Sequence, residues 1–229
     1  MIRVAQCWDD GVATDIRLTD IFRKYNAKAT FNLRPGLINQ DETVMPHWLD
    51  PDYRGWSYRG FSGGRMGKKD LLKVYGGFRV ASHCMKHETV GRVSLEDFIR
   101  GAVDARKFLE DTFGMECPGF AWPCGATSDD SVKALRDAGF RYGRTVANVR
   151  GDASRCEDPL QLAANCHFLA PDFWTRFDEV KKTGGVFYFW GHSYEMLDCE
   201  GLWKQLEGKI SIISNDPEVE WIDVIDIVS

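Results

Sequence analysis

Long apolar stretches and basic blocks are both missing from this sequence, and each absence excludes a class of protein. No apolar run approaches the ~20 residues that a membrane-spanning helix needs. The first six residues lack the long apolar region and the small-residue cleavage site of a secretory signal. The formal charge is −5, from 29 Lys and Arg against 34 Asp and Glu, with no basic cluster. We therefore expect neither a membrane nor a nucleic acid as a partner.

Paired cysteines are also missing. The seven Cys are an odd number, scattered along the chain, and no two form a CxxC motif. Free thiols in a reducing compartment are the simplest explanation, so we expect a cytoplasmic protein. Apolar residues make up 44% of the chain and charged residues 28%, which is typical of a globular protein with a real core.

The chain shows no internal repeat and no linker, and apolar segments with strand and helix patterns alternate along it. This alternation predicts parallel strands joined by helices, in one α/β domain over residues 1–229, most simply a barrel. A long polar excursion over residues 37–66 is expected to be a functional loop or partial lid. Residues 149–170 are irregular and give no clear prediction. We predict strands at 2–6, 29–33, 78–81, 119–122, 140–145, 185–190 and near 221–224, and helices at 15–25, 68–75, 94–113, 129–138, 172–182 and 202–213.

His83 and His87 form the strongest chemical motif. Four residues apart, they are predicted to project from one face of a helical turn, where both imidazoles can reach one ion. Two imidazoles do not complete a metal site, so a carboxylate is expected from elsewhere in the chain. The best candidate lies in Asp9-Asp10-Gly11, directly after the first strand. Each motif alone has a simpler explanation, a surface histidine pair or a solvated turn, but together they indicate a divalent metal site.

The other chemical residues also follow predicted strands. In an α/β barrel, groups beyond the carboxyl ends of the strands meet at one rim, where active sites form. Random placement would scatter them over both rims and the helices. The chemical residues that follow the later strands are Cys124, Arg144 and His192.

These motifs resemble those of the polysaccharide deacetylases, the family-four carbohydrate esterases. Trp8-Asp9-Asp10-Gly11 is similar to the family's first motif, usually Thr-Phe-Asp-Asp-Gly. Ser82-His83 through His87 matches the His-Ser/Thr-x-x-His motif, and Gly191-His192 is similar to the late motif that supplies a general acid. Their order and spacing agree over nearly the whole chain. The resemblance implies a single-domain, distorted (β/α)7 barrel.

The resemblance also implies roles for these residues. Asp10, His83 and His87 would bind a divalent ion, with zinc expected first and cobalt or nickel as alternatives. Asp9 would be the general base for the attacking water, and His192 the general acid for the leaving group. Together with the ion, a backbone N–H, that of Cys124 being the candidate, would stabilise the tetrahedral oxyanion.

The sequence departs from the family pattern at the third motif, usually Arg-x-Pro-x-Gly. Here Ala121-Trp122-Pro123-Cys124-Gly125 has no arginine to hold the base. We expect Arg144 or Arg65 to supply that charge from another part of the chain. Trp122 is also a candidate for the wall of a substrate site, as are, with weaker arguments, Trp56, Trp174 and Trp190. Glu195 could orient His192, contact ligand or simply begin a helix, and His167 has a weak claim to the site.

The sequence thus predicts a metal-dependent hydrolase that removes acetyl groups from an N-acetylated, or with less support an O-acetylated, carbohydrate. Its partner would be a small or oligomeric saccharide. Two alternatives stay open. One is hydrolysis of another small amide, as in allantoinase-like relatives, some of which act without metal. The other is a saccharide-binding protein without catalytic activity, a possibility raised by the missing arginine.

Overall fold

A computed structural model describes all 229 residues of the chain. None of its helices combines the length and the apolar composition that crossing a bilayer requires. The strands are β1 (Ile2–Asp10), β2 (Thr30–Leu33), β3 (His47–Trp48), β4 (Phe61–Ser62), β5 (Arg79–Ser82), β6 (Gly119–Ala121), β7 (Tyr142–Asn148), β8 (Leu162–Ala164), β9 (Cys166–His167), β10 (Gly185–Gly191) and β11 (Val219–Trp221). The helices are α1 (Asp15–Lys24), α2 (Leu71–Tyr75), α3 (Leu95–Phe113), α4 (Asp129–Asp137), α5 (Phe173–Thr183) and α6 (Glu200–Ser214).

The main sheet is a nearly closed barrel of parallel strands. Its order is β8-β7-β6-β5-β2-β1-β10-β9, and β11 pairs with the beginning of β1. β8 and β9 are separated by Asn165 alone, so they fill one position between β7 and β10. The positions are therefore β1, β2, β5, β6, β7, β8/β9 and β10, which makes seven. The prediction of a single-domain, distorted (β/α)7 barrel is confirmed.

Asn165 joins the two sides of the barrel where residues 149–170 gave no prediction. Its main-chain N–H donates to the carbonyl of Tyr188 at 2.6 Å, and its side-chain oxygen accepts from the Tyr188 N–H at 2.7 Å. The asparagine thus continues the hydrogen bonding of β10 across the gap between two very short strands. These strands are too short to produce a periodic pattern in the sequence.

The helices follow the sequence signals closely. α3 begins where the Ser94 side chain accepts a hydrogen bond from the Asp97 N–H, and it ends at Gly114, which has φ +63°. Thr14, directly before α1, makes no side-chain cap hydrogen bond. Its hydroxyl instead lies 2.6 Å from that of Ser193, after β10.

β1 runs through the centre of the fold. It pairs with β10 and β2, and every residue except Arg3 is buried. Trp8 is fully buried and packs against Phe22 of α1 and against Phe168. Because β1 is held on both sides, its last two residues, Asp9 and Asp10, are fixed in the middle of the carboxyl-end rim.

The excursion over residues 37–66 carries the antiparallel pair β3 and β4 and contacts the segment after β10. Trp56 and Tyr58 both pack on the ring of Tyr194, with centroids 5.2 and 5.6 Å away. Trp48 donates its indole N–H to Asp198 at 2.7 Å. The excursion therefore forms one wall beside the rim.

Candidate active site

The carboxyl ends of the strands surround a cleft of about 830 Å³. Of the nine residues with the strongest predicted roles, eight line this cleft, and the exception is Arg65. They come from five strands, β1, β5, β6, β7 and β10, or from the turns that follow these strands. They are Asp9, Asp10, His83, His87, Trp122, Cys124, Arg144 and His192.

Asp10, His83 and His87 present donor atoms that lie within 4.8 Å of one another. His83 Nδ1 is 2.8 Å from the Ala121 carbonyl, so it donates there and leaves the lone pair of Nε2 free, 3.6 Å from Asp10 Oδ1. Burial lowers the pKa of His83 to about 4, so the ring is neutral, as a metal ligand must be. Asp10 Oδ1 is buried and accepts no hydrogen bond. One carboxylate and two neutral imidazoles with free donor atoms fit a divalent cation such as zinc.

The backbone that brings the two histidines together is not the helical turn expected from their spacing. β5 ends at Ser82, and Cys84 and His87 have φ of +60° and +65° in the turn that follows. The imidazoles nevertheless meet, with ring centroids 4.8 Å apart. Asp10 and Cys124, at φ +85° and +56°, are also left-handed. Four residues on this rim therefore adopt a conformation that side chains other than glycine rarely take.

Asp9 is held from two sides. Arg144 Nη2 donates to its Oδ2, and Asn32 Nδ2 donates to its Oδ1 at 2.7 Å. Asp9 and Arg144 are 3% and 1% exposed. Burial raises the pKa of Asp9, but the charge of Arg144, with smaller contributions from His83 and His192, outweighs it and holds the pKa below its usual range. Asp9 is therefore a carboxylate at neutral pH.

His192 lies on the other side of Asp9, with Nε2 3.7 Å from Asp9 Oδ2. Glu195 Oε2 accepts from the main-chain N–H of His192 at 3.0 Å and lies 3.2 Å from its Nδ1. The same oxygen is 2.7 Å from Nε2 of His167. Burial lowers the pKa of His192, but Glu195 and the two aspartates outweigh it and raise the pKa above its usual value. The arrangement favours an imidazolium facing Asp9.

Ser193 ties the segment that carries His192 to α1. Its hydroxyl donates to Oδ1 of the fully buried Asp15, whose Oδ2 accepts from Tyr75 at 2.7 Å. Burial raises the pKa of Asp15 to about 7. This buried network connects the rim to two helices beneath it.

Arg34 and Asn32 also contribute to the site, and neither was predicted from the sequence. Arg34 Nε lies 3.1 Å from Asp10 Oδ1 and directs its hydrogen at the Asp10 main-chain oxygen, 3.4 Å away. Both residues belong to the end of β2, where Asn32 is in register with Asp9. Their position at the end of a predicted strand could have indicated them. Only the pairing of β2 with β1, however, decides which side chains meet.

Among the predicted substrate residues, Trp122 is in the core. It is 1% exposed, stacks on Phe98 at 5.5 Å and donates its indole N–H to the Leu160 carbonyl at 2.7 Å. Cys124 is exposed at the rim. Trp174 packs beside Phe177 on α5, away from the cleft. Of the four tryptophans, Trp56 and Trp190 line the cleft with exposed or half-buried rings.

Arg65 is exposed and does not contact Asp9. It lines a smaller side cavity, of about 320 Å³, that meets the cleft at Asp10, Arg34 and Trp56. Of the two arginines expected near the base, Arg144 is therefore the one in contact with it.

The family model described as polysaccharide deacetylase matches residues 2–143, more than half of the chain. No curated protein matches the sequence significantly.

Three solved structures share the fold. A protein from Mycobacterium smegmatis assigned to the polysaccharide deacetylases is 14% identical, with a TM-score of 0.67 and coverage of 99% of this chain and 90% of that chain. A family-4 acetyl xylan esterase from Clostridium thermocellum, in complex with a cobalt ion, is 16% identical, with a TM-score of 0.56 and coverage of 98% and 89%. A family-4 carbohydrate esterase pseudoenzyme from Bacillus anthracis is 12% identical, with a TM-score of 0.58 and coverage of 99% and 65%. The chain spans 39% to 90% of the length of the structures that it resembles, and less than two thirds of several of them.

Proposed function

Because this chain belongs to the polysaccharide deacetylase family, we propose that it is a metal-dependent hydrolase that removes acetyl groups from a carbohydrate. An N-acetylated saccharide is the first choice and an O-acetylated one the second. The observation that carries the proposal is that a held carboxylate and a metal-ligand carboxylate lie side by side at the end of β1. Asp9 is an ionised carboxylate held by Arg144, and its neighbour Asp10 joins His83 and His87 in a donor set that fits a metal. We propose residues 1–229 as the catalytic domain.

Asp10, His83 and His87 would hold the divalent cation, with zinc first and cobalt or nickel as alternatives. When bound, the cation would supply Lewis acidity toward a carbonyl oxygen and lower the pKa of water. The fixed tautomer of His83 supports this assignment, because the hydrogen bond to Ala121 costs no reorganisation when Nε2 coordinates.

Asp9 acts as the general base. Its Oδ1 and Oδ2 each accept one hydrogen bond, from Asn32 and Arg144, and each oxygen has a further lone pair for the proton of the attacking water. The two donors also fix the orientation of the carboxylate. Because Arg144 keeps Asp9 ionised, the base is in the required form throughout the neutral range.

His192 acts as the general acid. As an imidazolium it donates the Nε2 proton to the leaving nitrogen or oxygen. Asp9 then passes the proton that it took from water to His192, which restores both groups. The main-chain N–H of Cys124 is proposed as an oxyanion donor. Trp56 and Trp190 line the cleft with exposed or half-buried rings and are proposed to contact a sugar ring.

Acetate release from chitooligosaccharides and from acetylated xylan tests the proposal on zinc-loaded protein. Asp9→Asn should lower the rate by about a hundredfold or more while metal binding is retained. Asp20→Asn, at an exposed carboxylate of α1, is the matched control and should keep full activity. The proposal fails if no acetylated saccharide is hydrolysed with zinc, cobalt or nickel.

One alternative keeps the barrel and changes the reaction to hydrolysis of another small amide. The guanidinium of Arg34, 3.1 Å from Asp10 Oδ1, favours it, because a resident cation beside the ligand carboxylate suits a site that works without metal. Metal content of protein purified after growth with zinc separates the two. The missing motif arginine no longer supports an inactive saccharide-binding protein, since Arg144 contacts Asp9. The cytoplasmic location stays a prediction from the scattered cysteines.

A further inference from the structure

The side cavity beside the cleft is not used by the proposed reaction. Its volume is about 320 Å³, within the size range of small-ligand sites. It opens to the cleft across Asp10, Arg34 and Trp56, which line both spaces. Its other walls come from the turn after β1 and from the excursion over residues 37–66. A ligand bound in the cleft can therefore extend into it.

Two guanidinium groups line this cavity, against one carboxylate. Arg34 is 15% exposed at its side chain, uses only Nε toward Asp10, and donates no hydrogen bond within the chain from Nη1 or Nη2. Arg65 is exposed and forms no ion pair. The single acidic residue of the lining is Asp10, which the proposed function assigns to the metal. The cavity therefore offers unused cationic donors although the chain as a whole is acidic, with a formal charge of −5.

The cleft contains two further cations, and Asp9 and Glu88 also line it. Lys86 and Arg92 line it, and neither forms an ion pair. Lys86 lies within the turn between His83 and His87, and its side chain is close to Gly36, two residues after Arg34.

We propose that the side cavity binds an anionic substituent, a carboxylate or a phosphate, of the saccharide whose acetyl group is hydrolysed in the cleft. The inference rests on the proposed function and narrows its substrate to an acidic saccharide. The planar guanidinium matches both anions with two parallel N–H donors. Trp56, 63% exposed and edge-on to Tyr194, offers a ring face where the sugar passes from one space to the other.

Binding to zinc-loaded protein at low ionic strength tests the proposal by calorimetry. The probes are N-acetylglucosamine, which is neutral, N-acetylmuramic acid, which carries a carboxylate, and N-acetylglucosamine 6-phosphate. We expect at least one acidic probe to bind about tenfold or more tightly than the neutral one. A preference for the phosphate or for the carboxylate probe identifies which anion the cavity takes.

Arg65→Gln is the main variant, because this exposed side chain can be changed without disturbing the core. It should lower the affinity for the acidic probe about tenfold and leave the affinity for the neutral probe unchanged. Arg34→Gln should act in the same direction. Arg54→Gln, on the same excursion with a side chain 79% exposed and outside both spaces, should change neither affinity.

Equal affinity of the wild-type protein for acidic and neutral probes overturns the proposal. An Arg65→Gln variant that loses affinity equally for both kinds of probe overturns it too. Failure of the proposed function is distinguishable, because the anion preference is read as binding. An anion preference in a wild-type protein that releases no acetate from any acetylated saccharide would support the cavity proposal and reject the deacetylase proposal.

Discussion

Arg144, on β7, donates a hydrogen bond to Asp9, at the end of β1, from a position 135 residues later in the chain. Both side chains are almost completely buried. Two charges taken out of water are tolerated only as a pair. The contact therefore keeps Asp9 ionised and contributes to the stability of the rim.

Arg144→Met should destabilise the protein by about 3–5 kcal/mol, because it leaves the Asp9 carboxylate buried without a cation. Urea unfolding provides the measurement, and Asp9→Asn combined with Arg144→Met should recover much of the loss. Arg17→Met breaks the exposed pair with Glu200 and serves as the control, with an expected cost of at most about 1 kcal/mol. Additive effects in the double variant would show that the two buried charges do not depend on each other.

Zinc should raise the melting temperature of the wild-type protein by several degrees, because a ligand at a hundred times its Kd adds ~2.7 kcal/mol to stability. Asp10→Asn and His87→Gln each remove one donor and should abolish most of the shift. His47→Gln, on the exposed β3, is the control and should respond as the wild type does. A full zinc shift in both donor variants would place the metal elsewhere.

Glu195→Gln should move the alkaline limb of the pH–rate profile to lower pH. Glu195 helps to raise the pKa of His192, so its loss deprotonates the acid at a lower pH. At pH values above the pKa of His192, the rate should fall about tenfold for each pH unit by which the limb moves. Glu200→Gln, an exposed glutamate nearby in the sequence, should leave the profile in place. An unchanged limb with a uniformly lower kcat would assign Glu195 a purely structural role.

Asp15 should make stability fall with rising pH. Its pKa is raised from 3.8 to about 7 in the folded protein, so between these values the folded form holds a proton that the unfolded form has lost. This contribution decreases across that window and is constant above about pH 7. Asp15→Asn should flatten the melting temperature between about pH 5 and 7.5. Asp20→Asn should keep the wild-type slope, and parallel curves for all three proteins would contradict the assignment.

The sequence predicted the fold well where the local signals were strong. β1, α3 and the chemical residues after each strand follow from periodicity, capping and the known rim of parallel barrels. Residues 149–170 could not be interpreted, because β8 and β9 are three and two residues long and depend on Asn165 for their pairing.

The site was predictable at the level of residue type and less so at the level of contacts. Asn32 and Arg34 were missed because only the register of β2 against β1 brings them to Asp9 and Asp10. The histidine spacing suggested a helical turn, but left-handed residues produce the approach. Trp122 was expected to face substrate. It borders the cleft but is 1% exposed, and its indole N–H donates to the Leu160 carbonyl.

The left-handed residues on the rim have an evolutionary consequence. Seven residues other than glycine have positive φ in this chain. Three of them, Asp10, His87 and Cys124, line the cleft, and a fourth, Cys84, directly follows the cleft residue His83. Each holds about 1–3 kcal/mol of backbone strain. A lineage selected for heat resistance alone would relax this strain first, by glycine at Cys84 or Cys124. It would gain thermal tolerance by surrendering the rigidity that keeps the imidazoles and carboxylates in place.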